Sequence, residues 1–125
     1  MLRDVIELRP SLEVVGEAAD GDEAVVAATR LQPDVILLDL AMPNRTGLAA
    51  LTELGQVAPS ARIIVFSSFP PDAVSDQVLA LGAVRYLEKG VSPDAINDAI
   101  EEAAAMPRSV PGAIPVAITD LPRTR

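Results

Sequence analysis

Three polar residues stand where apolar runs stop: Asp39 ends "VILLD" (35–39), Ser67 ends "IIVFS" (63–67), and Lys89 follows "VRYLE" (84–88). A carboxylate is an anionic nucleophile or a ligand for a hard cation, a hydroxyl offers one hydrogen bond, and an ammonium neutralises a single oxygen. Burying an unpaired carboxylate costs several kcal/mol, so an acid in such a place belongs at the open end of a strand, where ligand or solvent reaches it. Taken singly, Asp39 also reads as a strand-terminal cap on the next loop. Lys89 carries a further signal, because it is the only lysine beside nine arginines. A compact ammonium suits one oxygen in a tight pocket, whereas a planar guanidinium suits a bidentate surface.

The elements that must position these residues alternate along the chain. "VVG" (14–16), "VILLD", "IIVFS" and the shorter "VRYLE" read as buried parallel strands. Between them lie helical spacings. Asp20 and Asp22 offer caps ahead of Ala24, Val25, Ala28 and Leu31; Gly47 precedes Leu48, Leu51 and Leu54; Val74, Val78 and Leu81 space a third helix; and Ser92-Pro93 opens a fourth, with Ile96 and Ile100 on its inner face. The expected fold is α/β, a right-handed doubly wound parallel sheet. In such sheets ligands bind beyond the carboxyl ends of the strands. Asp39, Ser67 and Lys89 all fall there, and a purely structural reading explains the trio less well than it explains any one member.

Composition narrows the function. The chain has 125 residues, half of them apolar, enough for one domain with a real core. A net charge of −8 argues against nucleic acid and against anionic membranes. With neither Cys nor His, imidazole triads, thiolate chemistry and the common zinc sites are excluded, so catalysis must use carboxylates, hydroxyls, Lys or Arg. "MLRDVIELRP" is too charged for a signal peptide, and no apolar run approaches the roughly 18 residues of a membrane span, so a cytoplasmic protein is expected.

"LLDLAMPNRTG" (37–47), "IIVFSS" (63–68) and "YLEKG" (86–90), in that order, resemble the receiver domain of bacterial two-component response regulators, a flavodoxin-like fold. The likeness is to the branch usually joined to a helix-turn-helix DNA-binding domain, for which "EVVGEAADGDEAV" (13–25) is also typical, and it covers residues 1 to about 105. The resemblance implies that Asp39 accepts a phosphoryl group from a histidine kinase or phosphotransfer protein, while Lys89 and the Ser67 hydroxyl each take one phosphoryl oxygen. It also implies Mg²⁺ or Mn²⁺ at Asp39 and the backbone carbonyl of Ala41. Tyr86 matches the family's switch aromatic, turning inward as Ser67 moves and reshaping the face around 71–81 and 84–88. On a plain structural reading Tyr86 is a half-buried ring on an edge strand. Such a chain phosphorylates and dephosphorylates itself at most and is no turnover enzyme.

Three departures from the family pattern stand out. Gly90 replaces a usual Pro, and Pro70-Pro71 stiffens the entry to the switching helix. The third concerns the family's first strand, which ends in a metal-binding acidic pair: the N-terminus lacks it, and Met1 falls inside what should be the first helix. Residues 1–106 therefore read as a receiver without that strand, and 107–125, with four of the eleven prolines, as a Pro-rich tail. Yet "PVAITD" (115–120) is β-rich and ends in an acid, and with the chain ends joined Asp120 lies about 44 residues ahead of Asp39, close to the family's spacing. Two readings stand level: a circular permutation, the tail strand entering between those at 12–16 and 34–39, in cis or from a second chain, and a truncated or mis-started receiver with a loose tail. On the first, Asp120 would be a metal ligand, with Thr119 in place of the second acid.

Two functions compete, a phospho-acceptor receiver that switches partner contacts and a receiver-like interaction or homodimerisation module that works without phosphorylation. A small-ligand domain of flavodoxin-like shape is a distant third, because no Gly-rich phosphate loop follows any strand. No helix-turn-helix follows residue 106, so this chain is not expected to bind DNA.

Overall fold

The computed structural model describes residues 2–40, 47–68, 71–105 and 114–119. Within these, the chain runs α1 (Leu2–Ile6), β1 (Leu12–Ala18), α2 (Gly21–Leu31), β2 (Val35–Leu38), α3 (Gly47–Val57), β3 (Arg62–Ser67), α4 (Pro71–Ala80), β4 (Arg85–Glu88), α5 (Pro93–Ala103) and β5 (Ile114–Thr119). Local chemistry sets several of these boundaries. Asp20 caps α2 by accepting from the Glu23 amide at 2.8 Å, while the Glu23 carboxylate accepts from the Ala19 amide at 2.9 Å. Ser92 caps α5 by accepting from the Ala95 amide at 3.1 Å, with Pro93 in the first turn.

All strand pairs are parallel, and the sheet order is β1-β5-β2-β3-β4. That is the flavodoxin-like order in which the strand between the second and third in sequence is normally the first. Here the strand following α5 fills that place. Leu12 pairs with Ile114 and Ala18 with Thr119 on one side; Val35 pairs with Val116 and Leu37 with Ile118 on the other. The expected segment 115–120 is thus in the sheet one residue earlier, at 114–119, within the same chain. Pro115, which lacks an N–H, precedes the stretch paired to β2 and faces only Glu13 of β1.

Side-chain alternation sorts two cores. Val35, Leu37, Ile64, Leu87, Val116 and Ile118 face α1 and α5, where they meet Ile6, Ile96 and Ile100. Ile36, Leu38, Ile63, Val65 and Ala117 face α2, α3 and α4, meeting Ala24, Ala28, Leu51, Leu54 and Val78. β2 is buried on both faces, as its apolar run implies. β1 differs from expectation: it is an edge strand with Glu13 exposed and Leu12, Val14 and Ala18 buried, so it extends beyond the run at 14–16.

α1 has only five residues, too few to be stable alone. Tertiary contacts hold it: Ile6 is fully buried, the Asn97 side chain of α5 donates to the Val5 carbonyl at 3.0 Å, and Arg9 just beyond reaches Asp98 at 2.8 Å and Glu101 at 3.0 Å. No helix among the described residues is long and apolar enough to cross a membrane. Because Ile118 sits fully packed in the interior strand β5, Ile118→Ala is expected to cost about 2–5 kcal/mol, read from the urea midpoint at unchanged slope.

Candidate functional site

β2, β3 and β4 are adjacent and parallel, so their carboxyl ends open on the same side of the sheet. Asp39 follows β2 directly, Ser67 is the last residue of β3, and Lys89 follows β4 directly. The three expected residues therefore lie on three neighbouring strand ends.

Asp39 is 2% exposed, and its Oδ2 accepts from Lys89 Nζ at 2.6 Å. The pair is lopsided: the lysine side chain keeps 32% of its exposure against 3% for the aspartate. The lysine side chain is a third open to solvent and the carboxylate is enclosed. Lys89 is fixed at its other end as well, its amide donating to the Ser67 carbonyl at 2.7 Å. This hydrogen bond continues the β3–β4 pairing, in which Ser67 stands opposite Glu88. Ser67 is itself 1% exposed, a hydroxyl held at the same strand end.

Leu40 and Gly47 lie against one another beside the site. The Gly47 amide donates to the Leu40 carbonyl at 3.2 Å, and a Cβ at Gly47 would lie 2.4 Å from the Leu40 Cα. Only glycine lets α3 begin against the backbone beside Asp39. Tyr86, opposite Val65 in β4, is half-buried and packs on the core that includes Val65, Val78 and Ala83, facing the α4 side. The ring stands where a rearrangement of α4 would reach it.

Two further expected residues, Ala41 and Asp120, lie outside the described residues. Among the described residues no three acids gather into a metal cage. What sequence reasoning missed is Phe66, whose ring centroid lies 5.8 Å from Lys89 Nζ. Its one sequence signal is its place, an aromatic directly before Ser67 in a chain with only two phenylalanines.

Residues 1–101 match the response regulator receiver domain family. The chemotaxis protein CheY of Thermotoga maritima is 34% identical over 96 residues, 77% of this chain and 79% of that protein. The nitrate/nitrite response regulator NarL of Escherichia coli is 39% identical over 93 residues, 74% of this chain but 43% of NarL. Two more relatives, each 42% identical, are likewise longer, the matches covering 26% and 40% of their lengths. The chain thus spans less than half the length of several curated relatives it matches. The response regulator domain of Thermotoga maritima CheB superposes with a TM-score of 0.77 at 34% identity, covering 86% of this chain and 87% of that one.

The lopsided burial makes a prediction. Lys89→Met deprives an enclosed carboxylate of its ammonium, whereas Asp39→Asn leaves a lysine whose side chain is already a third exposed. Urea unfolding without divalent metal should show Lys89→Met costing about 1–3 kcal/mol, less than the 3–5 of a fully buried pair because the lysine is partly solvated, and Asp39→Asn costing distinctly less or stabilising.

Proposed function

This chain belongs to the response regulator receiver domain family, and we propose that it acts as a phospho-acceptor, taking a phosphoryl group onto Asp39 from a histidine kinase or phosphotransfer protein and changing its partner contacts in response. The observation that carries the reading is the enclosed Asp39 with Lys89 Nζ 2.6 Å from its Oδ2, one strand away from Ser67.

The chemistry follows from those groups. A carboxylate needs no deprotonation before attacking phosphorus, which suits a site without His or Cys. An Asp39 oxygen bonds to phosphorus as the bond from phosphorus to the donor's leaving atom breaks, and charge spreads over the three equatorial oxygens. Lys89 then leaves the carboxylate for one of them, a short movement for a flexible stem. The Ser67 hydroxyl takes another. The strand ends bring these donors preorganised, the main way a protein assists phosphoryl transfer.

For a metal, the donor set suits a hard divalent cation but falls short by one acid. β2 and β5 run side by side, with Leu37 opposite Ile118, and the residues after them in sequence are Asp39 and, beyond Thr119, Asp120. We assign Asp39, Asp120 and the Ala41 carbonyl as ligands of Mg²⁺ or Mn²⁺, with Thr119 where the family has its other acid. When bound, such an ion neutralises phosphoryl charge. Residues 1–106 and the strand from 107–125 act on this reading as one cytoplasmic receiver unit, with Tyr86 carrying the change toward α4.

Intact mass after incubation with Mg²⁺ and acetyl phosphate tests the proposal: one phosphoryl group should be gained by the native chain and none by Asp39→Asn. Half-saturation should need more Mg²⁺ than in a receiver with the full acidic pair, the missing carboxylate weakening the site. No gain in a folded sample would assign the chain to partner binding or homodimerisation without phosphorylation, the reading that the thin acidic cluster favours. If Tyr86 carries the switch, fluorotyrosine in place of this only tyrosine should show one ¹⁹F resonance that moves on phosphorylation and stays put in Asp39→Asn.

A further inference from the structure

We propose that Phe66 is a positioning residue for Lys89, its ring face holding the ammonium at the sheet's end beside Asp39; the kinetic part of this rests on the phospho-acceptor reading above. The ring has a firm mount. Phe66 is the penultimate residue of β3, stands opposite Leu87 in the parallel ladder, and packs partly buried against the α1/α5-side core with Ile64 and Leu87. Lys89 Nζ lies 5.8 Å from the ring centroid while it donates to Asp39 at 2.6 Å. That separation is inside the roughly 6 Å over which the negative face of an aromatic ring attracts a cation.

The site needs such a holder because the lysine stem is long and a third exposed. Its amide is pinned to the Ser67 carbonyl, but four methylenes separate the backbone from the charge, and ordering them costs rotamer entropy. Asp39 supplies the ordering only while it is an ionised carboxylate. Once one of its oxygens is bonded to phosphorus in the acyl phosphate, that attraction falls away, and the ammonium must be near the phosphoryl group. The Phe66 ring does not change charge during the transfer. It therefore keeps Lys89 in reach before, during and after, which a leucine of similar bulk would not do.

The single lysine makes the contact directly readable, because lysine-selective ¹³C labelling gives one CεH₂ signal, that of Lys89. In the native chain those protons should be displaced upfield by the ring. Phe66→Leu should bring them close to the free-lysine position, and Phe66→Tyr, which keeps the ring, should restore the displacement. In acetyl phosphate uptake Phe66→Leu should slow phosphorylation about two- to fivefold, the worth of a partly exposed cation–π contact, with Phe66→Tyr near native. In the Lys89→Ala background Phe66→Leu should slow it no further, since the two residues act through one contact. An unshifted lysine signal in the native chain, or an equal slowing by Phe66→Leu whether or not Lys89 is present, would overturn the positioning role. If the native chain takes up no phosphoryl group, the phospho-acceptor reading falls, and the lysine signal alone then decides for or against Phe66.

Discussion

β1 and β2 meet only through β5. Each hydrogen-bonds to one edge of that strand, and Val116 and Ile118 reach one core while Ala117 reaches the other. Without β5 the sheet would be a lone edge strand beside a three-stranded fragment, each with an unpaired backbone edge facing a gap lined by apolar side chains. With it in place, β2 is paired on both sides and covered on both faces. Asp39 issues from this most constrained strand of the molecule. The positional accuracy of the carboxylate is inherited from a segment some eighty residues further along the chain.

Within that frame the Asp39–Lys89 pair is poorly explained as a stabilising device. A charge taken out of water is repaid only with excellent geometry and further hydrogen bonds, and a well-packed apolar pair serves stability at least as well. What the pair does place side by side is an enclosed anion and a cation on a flexible, partly exposed stem. The choice of lysine fits this, because a guanidinium fork would lock onto both carboxylate oxygens, whereas an ammonium engages one and can be drawn to another acceptor. The Phe66 ring then gives that cation a partner indifferent to what happens at Asp39.

Much of this was legible in the residues, for physical reasons that differ by element. β2 and β3 announced themselves through unbroken apolar runs, because a strand covered on both faces has no polar side. The caps Asp20 and Ser92 were legible because they act within three residues of themselves. β1 runs on to Ala18, past the expected end at residue 16, because an edge strand alternates and the exposed Glu17 hides the buried Ala18 that follows it. α1 has no local signal sufficient for a helix; Asn97 and Arg9 hold it by contacts about ninety residues apart in sequence. Asp39, Ser67 and Lys89 were found from their places at the ends of runs. Phe66 was not, because a ring beneath a cation on the next strand is a relation between two elements that neither sequence segment contains.

The same strand order has a consequence in time. Leu12 pairs with Ile114, about a hundred residues later, so the ladder that ties the edge strand β1 to the sheet is also among the least local in the chain. Loop closure over such a separation must precede any reward from pairing, which slows folding. On a ribosome that releases about 5–20 residues per second, β1 and β2 would emerge with their facing edges open and wait several seconds for the strand that joins them. An ordinary flavodoxin-like chain makes its middle strand first and builds outward from it; this one makes the flanks first and closes on the middle, leaving sticky edges exposed through most of its synthesis.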